Sequence, residues 1–232
     1  LSKEVVELFW DPTFIILIPA IILAAYAQFT VSSRFSQYSK IKSSFGFNGT
    51  QLARQLLDNA GLHDVKIERI RGNLTDHFDP RKKVVRLSDT THNSTSIAAL
   101  GVVAHEIGHA IQDKEKYAPL VVRNAVVPVA QLGSSLSWII FIIGLLMVSQ
   151  ILIRIGIVVF SAFVFFTLVT LPVEFNASSR AKKLLSSMGM PSNELKGVSS
   201  VLGAAAMTYV ASAATAIFQL LRMLILSGSG RD

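Results

Sequence analysis

The sequence contains no cysteine. Disulfides and thiolate metal sites are therefore excluded, and any metal must be held by His, Asp or Glu. Charge is scarce too: 16% of the 232 residues are Asp, Glu, Lys or Arg, against about 25% in an average soluble domain. With the apolar runs set aside, room remains for one small hydrophilic domain of roughly a hundred residues. Apolar side chains are what the sequence has in plenty, at 51% of residues and a mean hydropathy of +0.49. That balance points to a lipid bilayer. The net charge is +7, but its Lys and Arg residues flank apolar segments, without the aromatic interleaving of a nucleic-acid module. Attraction to anionic headgroups accounts for them, and no nucleic-acid partner is expected.

Residues 13–31 carry no charge and are long enough to cross a bilayer as one helix. Glu4, Glu7 and Asp11 precede them against a lone Lys3. This is the wrong charge for a secretory signal, so residues 1–31 are expected to be a retained anchor. Residues 32–124 are polar and contain all five histidines. Within them, Leu52, Leu56 and Leu57 predict a helix over Thr50–Asn59, with Gly61 as its stop. Alternation predicts a strand over Val65–Ile70, and Val84–Leu87 reads as a second. The polar stretch Gly72–Pro80 reads as a loop between them. Ser94 or Thr95 is expected to cap a helix running to about Gln112. The unit as a whole reads as helix, hairpin, helix.

Residues 125–173 carry Arg154 as their only charge. This is too long for one span, so a transmembrane hairpin turning near Ser149–Gly156 is expected. A polar segment over 174–199 and a final span over 200–226 complete the chain. Lys and Arg concentrate after the first span and within 174–199. The positive-inside rule then puts the hydrophilic domain on the cytoplasmic side of a multi-pass cell-membrane protein.

Chemistry concentrates in His105-Glu106-Ile107-Gly108-His109. On a helix, histidines four apart stack on one face and can point at one ion. Glu106 sits on the adjoining edge, placed to take a proton from a water that zinc has acidified. The surrounding IAALGVVAHEIGHAI carries no other charge. Burying His, Glu and His there without a partner would cost several kcal/mol. The bland alternative is a core helix with internally bonded histidines.

A catalytic zinc site needs a third protein ligand and an open position. The best candidate is Glu174, at the end of the third apolar stretch, because acids at a membrane boundary are functional by default. The alternative is an interfacial Glu paired with Arg180 or Lys182. Tyr209, in the last apolar stretch, and His77, in the polar loop, are candidate donors to a reaction oxyanion. An interfacial tyrosine and a loop histidine bonded to its neighbours are the competing readings. His63 and His92 read as solvated and helix-entry residues. A strand at Val84–Leu87, ahead of the metal helix, is the candidate edge for binding an extended peptide.

HEIGHAIQ, followed after a long apolar stretch by LPVEFNASSRA, resembles the YugP-type membrane zinc metallopeptidases, which are similar in arrangement to the HtpX-like gluzincins. GNLTDHFDPRKKVVRLS and LGAAAMTYVASAATAIFQLLRMLIL carry the resemblance further, over most of the chain from about residue 46. The resemblance implies a zinc ion on His105, His109 and Glu174, with Glu106 as general base. It also implies an acid just after the third ligand, where Asn176 and Ser178 stand instead, which bears on how the histidines are oriented.

The expectation is thus an α-helical integral membrane protein with about four transmembrane helices. A small α/β metallopeptidase domain carries the HExxH helix and cuts peptide or membrane-protein substrates with zinc as cofactor. Two alternatives stand beside it. One is a non-enzymatic zinc-binding membrane scaffold or transporter. The other is an intramembrane site-2-type protease, whose Asp-Gly ligand motif within a span is not found here.

Overall fold

The computed structural model of the protein describes residues 12–228. Residues 1–11, with Glu4, Glu7 and Asp11, and residues 229–232, with Arg231, lie outside the described residues. A short 3-10 helix, Pro12–Leu17, leads into helix α1 (Ile18–Ser39). There follow α2 (Gly49–Asn59), strands β1 (Lys66–Ile70), β2 (His77–Asp79) and β3 (Val84–Ser88), then α3 (Ile97–Lys114), α4 (Ala118–Leu146), α5 (Gln150–Ser187) and α6 (Ser192–Gly228). The chain divides into two compact units.

The apolar unit comprises the chain up to Ala27, Val122–Thr170, and Thr208 onward. Its core gathers Phe141, Ile153, Phe160, Val164, Ala216 and Met223. Among the described residues, Pro12–Ser39, Gln150–Ser187 and Ser192–Gly228 are long and apolar enough to cross a membrane. Helix α4, bent by 45° between Ala118–Gln131 and Ser135–Leu146, makes a fourth if taken as one span. Ile15, Ile22, Ile151 and Val158 are exposed, as lipid-facing side chains are. The α4–α5 turn falls at residues 147–149, where Val148 is left-handed at φ +51°. Gly156, expected near that turn, lies inside α5 instead. A Cβ there would come within 2.8 Å of the Phe141 Cβ, so this glycine serves helix packing. Arg222 is buried in this unit. It donates to Thr13 Oγ1 at 3.2 Å and lies over the Phe14 and Trp138 rings at 5.2 and 5.5 Å. The ring faces offset part of the cost of desolvating its charge.

The second unit comprises Gln28–Val121 and Leu171–Met207. Helix α2 starts on a reciprocal cap: Gln51 N–H donates to Asn48 Oδ1 at 2.9 Å, and Asn48 N–H to Gln51 Oε1 at 3.0 Å. It ends as expected before Gly61, left-handed at φ +65°. Leu52, Leu56 and Leu57 are buried against Leu87, Leu100, Val103, Ile107 and Leu185. Full burial of a leucine contributes about 1.5–3 kcal/mol, so this apolar stripe holds α2 on the unit.

The sheet departs from the expected hairpin. Its order is β1-β3-β2, with β1 parallel and β2 antiparallel to β3. The segment expected to be wholly loop, Gly72–Pro80, contains β2. Phe78 packs on the core, while Arg86 Nη1 reaches His77 Nε2 and Asp79 Oδ2, each at 3.2 Å. Polar, apolar, polar over three residues is too short a pattern to read as a strand. Because β3 is paired on both sides, it offers no edge to a peptide. The outer edge next to α3 belongs to β2. Helix α3 is capped one residue later than expected, by Ser96, whose side chain accepts from Ala99 N–H.

Candidate metal centre

Helix α3 carries His105, His109 and Gln112 at spacings of four and three, which puts them on one face. Helix α5 answers with Val173, Glu174, Asn176, Ala177, Ser178 and Arg180. What lets the two helices meet is Gly108: a Cβ there would lie 2.7 Å from the Ala177 carbonyl oxygen. Backbone therefore packs on side-chain-free backbone at the centre of the motif.

Three donor atoms converge at this crossing. His105 Nε2 lies 3.2 Å and His109 Nε2 3.5 Å from Glu174 Oε2, and the two Nε2 atoms are 3.1 Å apart. All three side chains are largely shielded from solvent, and Glu174 is the most buried. Burial alone would pull the His109 pKa down, but the Glu174 and Glu106 carboxylates outweigh it and hold the imidazole above its ordinary value. The surroundings thus favour a positive charge among these atoms. Zinc with bonds of about 2.0–2.1 Å has tetrahedral ligand–ligand edges of about 3.3 Å. The three observed separations bracket that length. Two imidazoles and a carboxylate form the His₂Glu donor set of a catalytic zinc site, and the residues present fit the ion.

The outer nitrogens of the imidazoles are also engaged. His109 Nδ1 lies 3.0 Å from Gln112 Oε1, and His105 Nδ1 lies 3.1 Å from Ser178 Oγ. Gln112 Nε2 donates to the Val173 carbonyl at 2.8 Å and to Asn176 Oδ1 at 3.0 Å. Arg180 bonds Asn176 Oδ1 and Glu115, not Glu174. Glu106, beside the triad on α3, is 8% exposed. Its Oε2 accepts the Phe78 N–H of β2 at 3.0 Å.

Both His77 nitrogens are engaged, Nδ1 with the Thr75 carbonyl at 2.9 Å and Nε2 with Arg86. Tyr209, on α6, belongs to the apolar unit. His63 bonds Asp58 and His92 bonds Asn93. Sequence reasoning passed over the Phe78 amide, which depends on an unforeseen strand. It also passed over Gln112, although its spacing from His105 and His109 marks it as a same-face residue.

Comparison with known proteins agrees with this chemistry. Residues 13–228 match the model of a family described as "Putative neutral zinc metallopeptidase". The chain is 49% identical over 216 residues to the "Putative membrane protease YugP" of Bacillus subtilis (strain 168), covering 93% of this chain and 96% of that protein. No solved structure matches.

Proposed function

Since the chain belongs to that zinc metallopeptidase family, we propose that it is a membrane-embedded endopeptidase in which His105, His109 and Glu174 hold zinc and Glu106 is the general base. The observation that carries this reading is the convergence of three donor atoms at zinc-like separations, one residue from a buried carboxylate. When bound, zinc acts as a Lewis acid and lowers the pKa of a water to about 7. Glu106 takes the proton from the attacking water and delivers it to the leaving amine. The Phe78 N–H holds Glu106 Oε2, leaving the other carboxylate oxygen to move the proton. Tyr209 and His77 are the proposed oxyanion donors. His77 can serve only when its Nδ1 leaves the Thr75 carbonyl.

An extended peptide, from a soluble or a membrane protein, would lie along β2, the strand that already touches the base. The Lys and Arg bias of the segments between spans favours a cytoplasmic hydrophilic unit. A structural zinc site is the second reading. Such a site closes with four protein ligands, whereas the donor group found among the described residues has three.

The test is metal analysis and casein cleavage on detergent-purified protein. Glu106→Gln should keep stoichiometric zinc and lose cleavage. Glu174→Ala should lose zinc, and chelation should abolish cleavage until zinc is restored. Cleavage that survives in Glu106→Gln removes the proposed base.

A further inference from the structure

The reading of the centre as a zinc site leaves open what holds each imidazole with its lone pair on the ion. For one of the two histidines the hydrogen bonds answer this by elimination, starting from a group that can only donate. Arg180 Nε lies 2.6 Å from a side-chain amide atom of Asn176, so that atom is the oxygen. This oxygen and the Val173 carbonyl both face one amide atom of Gln112, at 3.0 and 2.8 Å. Two acceptors can be satisfied only by the NH₂ group. The Gln112 oxygen therefore faces His109 Nδ1 at 3.0 Å. His109 must then carry a proton on Nδ1, so in its neutral, ligand form the bare nitrogen is Nε2, the one that faces Glu174 and His105.

We infer that Gln112 is a positioning residue which fixes the tautomer and ring orientation of His109, and that Asn176 and Arg180 set Gln112 in turn. The proposal rests on the zinc reading above and adds to it where the ligand's orientation comes from. Glu115 Oε2 anchors the far end, 2.6 Å from Arg180 Nη2, so the chain of bonds begins and ends on the α3 segment and passes through α5. Gln112 is fully buried, and an amide shut away from water has no other means of choosing its orientation. His105 differs. Its partner, the Ser178 hydroxyl, can donate or accept and imposes no tautomer. The neutral residues Asn176 and Ser178, standing where an acid was expected, thus do unequal work: one specifies its histidine and the other accommodates it.

The experiment measures zinc affinity of the full chain in detergent by competition with a chromophoric chelator. Gln112→Leu and Asn176→Leu should each weaken zinc binding by about 10–100-fold, although Asn176 touches no ligand. Asn176→Asp keeps an oxygen acceptor for both Gln112 and Arg180 and should bind zinc within about threefold of wild type, while Ser178→Ala should lose less than Gln112→Leu. Helical circular dichroism and elution volume check folding. Should a leucine variant fail that check, Arg180→Leu, at a partly exposed position, substitutes for it with the same expected direction. Wild-type affinity in Gln112→Leu and Asn176→Leu overturns the inference and leaves the zinc site standing. Equal losses in Asn176→Asp and Asn176→Leu also overturn it, because acceptor chemistry would then be irrelevant. A wild-type chain that binds no zinc, by contrast, overturns the metal reading itself.

Discussion

Glu106 is a buried carboxylate whose hydrogen-bond partner among the described residues is a backbone amide, Phe78 N–H at 3.0 Å. A hydrogen bond to a charged group contributes about 1.5–3 kcal/mol, enough to hold the carboxylate in one place before substrate arrives. In an antiparallel ladder alternate residues bond the partner strand. Because the Phe78 amide points to Glu106, the β2–β3 bonds fall to His77 and Asp79. Phe78→Pro should therefore delete the bond to the base and spare the ladder, since an edge strand accepts proline where its N–H faces outward. We expect zinc content unchanged and kcat reduced about 10–100-fold, in line with that bond energy. Unchanged kcat in a folded, zinc-loaded variant would show that the amide does not position the base. At this scale the sequence was informative where a candidate donor lies in side-chain identity and short spacing, as with His105 and His109, which the structure brings together with Glu174. It was silent on Phe78, whose contribution is a main-chain group available only once β2 exists.

Helix α3 meets α5 through Gly108, and this contact sets whether Glu174 reaches the histidines. An interior helical glycine costs about 1 kcal/mol relative to alanine, so its presence inside a metal motif marks close approach. Gly108→Ala would place a methyl group 2.7 Å from the Ala177 carbonyl oxygen and 3.2 Å from the Ala177 Cα. Both are backbone atoms that cannot rotate away, so the helices must separate. We expect a destabilisation of about 1–3 kcal/mol, with zinc affinity falling alongside it. Thermal unfolding with and without zinc measures both. A variant equal to wild type in each would show that the helices are free to shift. Helices α2 and α3 were legible because periodicity and caps are local. The hairpin expectation failed because pairing is not: β1 and β3 each read as a strand, but only the three residues of β2, His77-Phe78-Asp79, make them run parallel. Glu174 was legible as a lone acid at the end of an apolar run. The Gln112, Asn176 and Arg180 relay was not, since its members acquire meaning only when α3 lies on α5.

Across the whole molecule, apolar composition, candidate spans and a membrane-protease relative agree on a membrane protein, while the side occupied by the hydrophilic unit is a matter of charge. Lys and Arg crowd the segments after α1 and around the α5–α6 junction, whereas the α4–α5 turn, Met147-Val148-Ser149, has none. Moving each basic residue across an energised membrane is costly, about 2.3 kcal/mol per charge per 100 mV, so the basic segments should stay inside. If α4 counts as one span, the turn at residues 147–149 then faces out. The absence of cysteine makes this directly measurable, because any introduced thiol is the only one in the chain. Lys82→Cys lies in the turn between β2 and β3, where the side chain is exposed, and Val148→Cys in the exposed turn between α4 and α5. A membrane-impermeant maleimide should label residue 148 but not residue 82 in intact cells, and both after permeabilisation. Labelling of residue 82 in intact cells would put the proposed active site outside. Substrates would then have to come from the far side of the membrane, even with every bond around His105, His109 and Glu174 unchanged.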